Sequence, residues 1–473
     1  MPNTSSRRAI VLGGSIAGLL AARVLADHFA EVVVVERDSY PQEIAVRKGV
    51  PQARHVHTLL MRGQRILEQL FPGIEADLAE AGAPALEWTS DALGWSASGW
   101  LPRFHSHLKT HTCSRELLEG TILRRMAAHP TIRFLEHTDV IGLLPDATTT
   151  GIAGVRVRAR PGSGREAGAE EDLLADFVVD ASGRESKSAE WLEGLGYPRP
   201  QDTTINAFLG YASRLYQRPA NPRAEWKAVL IGAMPPKTLR GGVIYPIEGD
   251  RWLVTLSGRS KQYPPLDDAG FVEFARDFAS PLIYEAIKEA TPLSPAVGYR
   301  RTENRLRHYE RLERFPERFV LLGDAVCAFN PVYGQGMTTA ALGAETLGKL
   351  LREQRQRHPD GDLTGLSRRF QKALAKVTAT PWLMATGEDL RCPGVEGGAE
   401  LRKSSAIRNW LRGYLERVRL LSARDAATFQ LFLEVAHLLR PPTAFFQPRV
   451  AVKVLWQSMR PRKSAAAAEA ARL

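Results

Sequence analysis

The stretch AIVLGGSIAG, residues 9–18, decides the fold. A short apolar run enters a glycine-rich turn, and apolar residues then recur at helical spacing over residues 19–29. Residues 31–36 read EVVVVE, and four valines without alternation are typical of a strand buried on both faces of a parallel sheet. The order strand, turn, helix, strand predicts the opening half of a doubly wound, Rossmann-like α/β fold.

The turn has the residue types that a dinucleotide requires. Gly13, Ser15 and Gly18 supply the tight bend, low bulk beside the pyrophosphate and close helix–strand packing, with Ser15 where the fingerprint prefers glycine. The helix start offers free N–H groups and a positive partial charge to a phosphate. Glu36 ends the next strand and can accept bonds from ribose hydroxyls, which favours FAD or NAD over NADP.

A second motif, LLGDAVCAFNPVYGQGM, occupies residues 321–337. Asp324 follows a short strand and can bond a polyol such as ribityl. The N–H groups of Gly336 and Met337 stand at a predicted helix start, where they can face a developing anion. The alternative is a strand–loop–helix connection with a capping Asp, although three glycines and a proline exceed what a cap needs.

Composition excludes several classes of protein. The chain has 473 residues, 44% of them hydrophobic and 24% charged, which is ordinary for a globular protein. Of the net charge of +11, nearly all lies in residues 401–473, which hold 14 Lys and Arg against four Asp and Glu. The charge is therefore no evidence for nucleic-acid binding. With no apolar stretch of membrane-spanning length and no CxxC pair, we expect a cytoplasmic protein without a metal site or disulfide framework.

Other segments are less specific. Residues 200–260 alternate and predict an antiparallel sheet, whereas the Trp-rich residues 84–110 suggest irregular structure. Trp88, Trp95 and Trp100 fit an apolar pocket and a core equally well. His55 and His57 lack a nearby Asp, Glu or Cys that would complete a metal site, so polar loop residues or simple surface exposure are the better interpretations.

Residues 407–421 have the apolar spacing of an amphipathic helix surrounded by arginines. We favour packing of its apolar face on the body, with the basic face in solvent, over peripheral contact with a membrane surface.

Taken together, the motifs resemble the FAD-dependent monooxygenases of the p-hydroxybenzoate hydroxylase superfamily. The closer resemblance is to the squalene-epoxidase-like branch, and within it to the lasalocid- and monensin-type epoxidases of polyether assembly. It runs from about residue 8 to about residue 398, on residues 13–18, 47–57, 180–184, 323–337 and 382–394.

The resemblance implies which residues bind the cofactor. Arg47 would lie near the isoalloxazine, Arg115 near the phosphate or ribityl, Val140 by the adenine, Asp324 on the ribityl, and Met337 would offer its N–H to the flavin. The full set of expected FAD-binding residues is Gly13, Gly14, Ser15, Ala17, Gly18, Glu36, Arg37, Arg47, Arg115, Val140, Asp180, Gly323, Asp324, Gly336 and Met337. Pro331 and Gly334 would stand next to the flavin; no catalytic side chain and no metal ligand is assigned.

The implied reaction inserts one oxygen from O₂, through a C4a-hydroperoxyflavin, into a small lipophilic substrate. Alkene epoxidation of a polyketide or terpenoid in antibiotic biosynthesis fits best, because it needs no acid–base dyad and none stands out. The alternatives are an aromatic hydroxylase, a prenyl double-bond reductase and a non-catalytic FAD-binding scaffold. Residues 180–183, DASG, depart from the Asp-Gly motif that handles NADPH. NAD(P)H would therefore act directly or through a separate flavin reductase.

The expected organisation interleaves the domains. Three FAD-binding parts cover residues 1–83, 111–198 and 299–365, and a basic helical region covers 366–473. The substrate domain would be an excursion over 84–110 and an antiparallel sheet over 199–298.

Overall fold

A computed structural model describes residues 7–41, 43–47, 49–219, 225–402 and 406–458. For residues 400, 402, 406–408 and 458 it describes the backbone alone. Lys48 and the tail at 464–473 lie outside the described residues, as do the side chains of Ile407 and Arg408 in the predicted amphipathic helix.

The strands in chain order are β1 (Arg8–Leu12), β2 (Glu31–Val35), β3 (Ala85–Glu87), β4 (Ala92–Ser96), β5 (Gly99–Trp100), β6 (Lys109–His111), β7 (Ile132–Leu135), β8 (Thr138–Pro145), β9 (Ile152–Ala159), β10 (Glu170–Leu174), β11 (Phe177–Asp180), β12 (Asp202–Asn206), β13 (Gly210–Gln217), β14 (Ala228–Ile231), β15 (Arg240–Ile247), β16 (Arg251–Gly258), β17 (Val297–Tyr299), β18 (Asn304–Arg307), β19 (Phe319–Leu321), β20 (Cys327–Ala328) and β21 (Glu396–Gly397). The α-helices are α1 (Ile16–Leu25), α2 (Met61–Leu70), α3 (Ile74–Glu80), α4 (Arg115–Ala127), α5 (Ser188–Gly194), α6 (Asp268–Phe274), α7 (Leu282–Ile287), α8 (Gly336–Arg357), α9 (Leu366–Asp389), α10 (Ala399–Arg402), α11 (Ala406–Ser422), α12 (Ala426–Ala436) and α13 (Pro448–Ser458).

A five-stranded parallel sheet, in the order β19-β11-β1-β2-β7, confirms the predicted doubly wound fold. Its strands are buried on both faces, as the run of valines in β2 indicated. Leu12 aligns with Val35 on one side and with Asp180 on the other. The carboxyl ends of three strands therefore meet at one edge, where ligands of such sheets bind.

A mixed seven-stranded sheet, in the order β17-β13-β16-β15-β14-β4-β5, forms a second layer. The apolar cluster on one of its faces packs against α6 and α7, mainly through Phe271, Phe274, Ile283 and Ile287. Smaller sheets, β20-β18-β12-β21, β10-β9-β8 and β3-β6, complete the fold.

Two local expectations were wrong. Residues 84–110 hold four strands, and β4 joins the large sheet parallel to β14, a pairing made across more than a hundred residues. Residues 200–260 were expected to form one antiparallel sheet, with residues 204–214 as one of its strands; instead β12 and β13 lie in different sheets, because Phe208 between them adopts φ +47°. The domain boundaries stay predictions.

The predicted amphipathic helix is confirmed as α11, which packs with α12 and α13. Tyr414 and Val418 are buried in that cluster, whereas Trp410 keeps 62% of its surface exposed. Ion pairs from Arg391 to Glu416 and from Arg419 to Glu388 join α11 to α9. Among the described residues, no helix is both long and apolar enough to cross a membrane.

Candidate functional site

The turn between β1 and α1 has almost no room for side chains. Gly13 adopts φ +89°, and a Cβ there would stand 2.8 Å from the Ala181 carbonyl oxygen. A Cβ on Gly18 would stand 1.8 Å from the Gly13 oxygen, and one on Gly14 would collide with the Tyr40 hydroxyl. The three glycines therefore allow the close approach of backbone segments that the sequence predicted.

Glu36 holds this turn from the end of β2. Its Oε2 accepts the Gly14 N–H at 2.7 Å and forms an ion pair with Arg47 Nη1 at 3.3 Å. Arg47 in turn binds Glu119 through Nε at 2.9 Å and stands 4.9 Å from the centre of the Tyr40 ring. All three charged side chains are at least nine-tenths buried.

Glu119 joins the two predicted arginines. Its second oxygen accepts from Arg115 Nη2 at 2.6 Å, one helical turn away on α4. Burial acts to raise the pKa of Glu119, but Arg115 and Arg47 outweigh it and hold the pKa below its ordinary value. Glu119 and Tyr40 were not among the expected residues; the i,i+4 spacing of Arg115 and Glu119 was the available signal.

Arg115 links the glycine turn to the second motif. Its Nη2 donates to the Ser15 hydroxyl at 2.9 Å, and its Nη1 lies 2.8 Å from the Met337 sulfur. Its Nε has no hydrogen-bond partner among the described residues. Ser15 makes no side-chain capping bond to α1, so the first amides of this helix stay available for an anion.

The second motif packs directly against the first. Gly323 adopts φ +63°, and a Cβ on it would stand 2.8 Å from the Cβ of Ala17 in α1. Asp324 lies 3.8 Å from Arg184 Nε and beside Gly336. Its side chain keeps 42% exposure in a recess walled by protein, and burial raises its pKa against the effect of Arg184.

The loop before α8 is fixed by its own residues. Asn330 caps the short 3₁₀ turn Pro331–Tyr333, and Gly334 ends that turn at φ +65°. A Cβ on Gly334 would stand 3.3 Å from the Cβ of Thr58. Pro331 and Gly334 therefore stand at the start of α8, opposite the segment that carries His55 and His57.

Three of the expected FAD-binding residues take no part in this network of hydrogen bonds and ion pairs, and their contact with FAD stays a prediction. Arg37 is exposed beyond the end of β2, and half-buried Val140 pairs with Val157 in the small β8–β9 sheet. Asp180 is fully buried, and its two oxygens accept from the Ser182 amide and from the hydroxyls of Ser182, Ser186 and Ser188. With every lone pair used, its side chain organises the 182–188 segment instead of offering a bond to a ligand.

The seven-stranded sheet presents uncharged hydroxyl groups to the loop at residues 55–58. Ser213 and Thr255 are register partners on β13 and β16, and the Thr255 hydroxyl accepts the Val56 N–H at 3.3 Å. Thr58 donates to the Tyr245 hydroxyl at 3.3 Å on the same face. The sheet thus meets the loop at residues 55–58 through hydroxyl groups.

The histidines of that loop are neutral. Burial lowers the pKa of His55 to about 4, and burial followed by Arg115 lowers that of His57 to about 3. Among the described residues, no group of three His, Cys, Asp or Glu side chains could hold a metal ion.

The tryptophans belong to the packing of the sheet. Trp88 is buried in an apolar cluster with Leu433 and Leu439, and its indole donates to Thr110 at 2.9 Å. Trp95 and Trp100 meet edge to face at 4.9 Å between ring centres. Of the two earlier interpretations, core packing is confirmed for Trp88.

Comparison with known proteins decides the family. The family model described as FAD binding domain matches residues 7–364. The chain belongs to this FAD-binding family. It is an FAD-dependent monooxygenase of the p-hydroxybenzoate hydroxylase-like superfamily.

Relatives of this family cover most of the chain. Protein Rv3254 of Mycobacterium tuberculosis is 36% identical over 80% of this chain and 78% of its own length. Kynurenine 3-monooxygenase of Salinispora arenicola is 28% identical over 76% of this chain and 74% of its own. The crystal structure of PqsL, a probable FAD-dependent monooxygenase from Pseudomonas aeruginosa, superposes with a TM-score of 0.59 at 20% identity, covering 82% of this chain and 97% of that one. This last likeness shows the fold alone.

The residues of this site fit FAD. The glycines allow the tight turn before α1, α1 begins with uncapped amides, and Glu36, Arg47 and Arg115 bring charge to the same edge. Asp324 and the amides of Gly336 and Met337 stand where the second motif meets this edge. When bound, FAD supplies the redox and oxygen chemistry, and the protein supplies orientation and exclusion of water.

Proposed function

We propose that the enzyme inserts one oxygen atom of O₂ into a lipophilic, electron-rich substrate, and that alkene epoxidation of the polyether type is the reaction. The observation that carries this is the set of hydroxyl groups that the seven-stranded sheet presents to the loop at residues 55–58. Its serine, threonine and tyrosine hydroxyls face histidines whose pKa values are about 4 and about 3.

Such groups are weak bases at neutral pH. Hydroxylating a phenol profits from removal of its proton, whereas adding oxygen to an isolated alkene needs no base. A site lined by hydroxyl groups and weakly basic histidines therefore supports epoxidation.

Aromatic hydroxylation is the second candidate. Kynurenine 3-monooxygenase, 28% identical, is named for oxygenation of an aromatic substrate. In that case the tyrosines of the same face would pack against the substrate ring. NAD(P)H is the proposed electron source, directly or through a separate flavin reductase.

The test is a reaction in ¹⁸O₂ with the FAD-loaded, chemically reduced enzyme, followed by mass spectrometry of matched alkene and phenol panels. Epoxides that carry one ¹⁸O support the proposal, and labelled phenols with unreacted alkenes favour the second candidate. Alkene reduction without O₂ would contradict both. Adding NADPH alone, then NADPH with a flavin reductase, tests which of the two routes delivers electrons.

A further inference from the structure

His55 is the most deeply buried titratable side chain of the loop that faces the sheet. Only 2% of its surface is exposed, and its Nδ1 lies 2.8 Å from the Ser213 hydroxyl. Its Nε2 has no hydrogen-bond partner among the described residues. Leaving a buried polar atom without a hydrogen bond costs folding free energy, so we expect Nε2 to gain a partner when the site is occupied.

The arrangement of the hydrogen bonds around His55 is inferred from which of its neighbours can donate and which can accept. The Val56 N–H donates to Thr255 Oγ1 at 3.3 Å, and Thr255 and Ser213 hydroxyls lie 2.5 Å apart. When Thr255 donates to Ser213 and Ser213 donates to His55 Nδ1, every hydroxyl proton in the chain has an acceptor. The imidazole then carries its proton on Nε2.

The neighbouring histidine has the opposite tautomer. His57 Nδ1 lies 2.9 Å from the His55 carbonyl oxygen, which can only accept, so the proton of neutral His57 sits on Nδ1. Two histidines two positions apart thus present one N–H donor and one bare nitrogen. This pairing is set by the backbone and by the sheet hydroxyls together.

Two tyrosine rings pack against His55. The Tyr211 ring stands at 90° to the imidazole, with centres 4.6 Å apart, and the Tyr299 ring stands 5.9 Å away. Both tyrosines also line an open recess together with Tyr263 and Arg300. Burial raises the pKa values of both tyrosines while Arg184, the partner of Asp324, acts to lower them.

We propose that the Nε2–H of His55 orients the substrate by donating a hydrogen bond to a carbonyl or ether oxygen. The substrate is then an oxygen-bearing, otherwise apolar molecule, such as a polyketide-like ketone or ether, whose reactive double bond is placed by that contact. This inference rests on the proposed function, because it assigns the recognition element of the same site. His55 is a positioning residue in this account, and Ser213 and Thr255 set its tautomer.

The test uses two probes of the same shape, 2-acetylnaphthalene and 2-isopropenylnaphthalene, which differ in a carbonyl oxygen replaced by CH₂. Binding to the oxidised, FAD-loaded protein is measured by calorimetry, so no turnover is needed. We expect the ketone to bind about tenfold more tightly, the ratio expected when one partner of a buried hydrogen bond is missing.

Two substitutions of His55 distinguish the role of its Nε2 from that of its Nδ1. His55→Gln places an amide near Nε2 and keeps the ketone preference, whereas His55→Asn places it near Nδ1, keeps the bond to Ser213 and loses the preference. His105→Asn is the matched control, because the side chain of His105 is 91% exposed. ¹⁵N chemical shifts of labelled histidine report the tautomers directly, with Nε2–H expected for His55 and Nδ1–H for His57.

Equal affinity of the wild type for both probes, no binding of either, or an Nδ1–H tautomer at His55 would overturn the proposal. So would a ketone preference that survives in His55→Asn. Failure of the proposed function is distinguishable, since it shows as missing flavin or as missing ¹⁸O transfer while the probe affinities are measured independently.

Discussion

The cofactor edge and the seven-stranded sheet of this enzyme differ in their electrostatics. At the cofactor edge, Glu36, Arg47, Glu119 and Arg115 form one buried chain of ion pairs. On the sheet face, Ser213, Thr255 and neutral His55 form a chain of uncharged hydrogen bonds. The chain of ion pairs suits a charged dinucleotide of fixed shape. The chain of uncharged hydrogen bonds suits the proposed apolar substrate, which must be oriented without strong charge.

Removing one charge from the first region has the largest expected effect. Glu119→Gln leaves Arg47 and Arg115 buried without their shared counter-charge. We expect the free energy of unfolding to fall by about 3–5 kcal/mol in chemical denaturation. Glu170→Gln is the control, because its pair with Arg158 is half exposed and its loss leaves the denaturation midpoint unchanged. Equal effects of the two substitutions would show that the buried ion pairs of Glu119 contribute no more to stability than a half-exposed surface pair.

The uncharged region is tested by lowering the pH, which changes its contribution to the free energy of unfolding. The pKa of His55 is about 4 in the folded protein, below its ordinary value of 6.5, so the unfolded chain binds the proton first. Keeping His55 uncharged therefore adds to the free energy of unfolding above pH 6.5, and this contribution is lost as pH falls from about 6.5 to about 4. Its size is on the order of 3 kcal/mol, because one pKa unit corresponds to about 1.36 kcal/mol.

His55→Asn removes this part of the pH dependence. We therefore expect a shallower loss of unfolding free energy between pH 6.5 and 4 than in the wild type, measured by urea denaturation across that range. A wild-type slope in His55→Asn would mean that His55 is charged or exposed in the folded state.

The smallest effects concern the backbone of the glycine turn. Gly18→Ala forces a Cβ against the Gly13 carbonyl oxygen, and we expect a loss of about 1–3 kcal/mol in unfolding free energy. Gly387→Ala on α9 is the matched control, since its Cβ would meet nothing within 4 Å. That substitution should raise stability by about 0.5–1 kcal/mol. Thermal unfolding of both variants shows whether the steric clash at Gly18, and not the replacement of a glycine by alanine as such, lowers the stability.

What the sequence could predict follows from how local each signal is. The β1–turn–α1–β2 unit is contiguous, so its pattern predicted the parallel sheet, whereas the packing of Gly323 against α1 emerged only from the structure. Glu119 was missed because its role depends on Arg47, which lies 72 positions away. Asp180 was expected to bind FAD, but the serines that saturate it come from the following loop and have no distinctive spacing. The chain from Val56 to His55 joins three segments and could not be read from any one of them.

The central claim is that the cofactor edge binds FAD and that His55 does not. Its most direct test is the FAD dissociation constant of the apoprotein, measured by fluorescence titration for the wild type, Gly18→Ala and His55→Asn. Circular dichroism checks that each variant is folded. The account predicts that His55→Asn binds FAD as the wild type does, and that folded Gly18→Ala binds it at least tenfold more weakly. Wild-type affinity in Gly18→Ala, or lost affinity in His55→Asn, would contradict it.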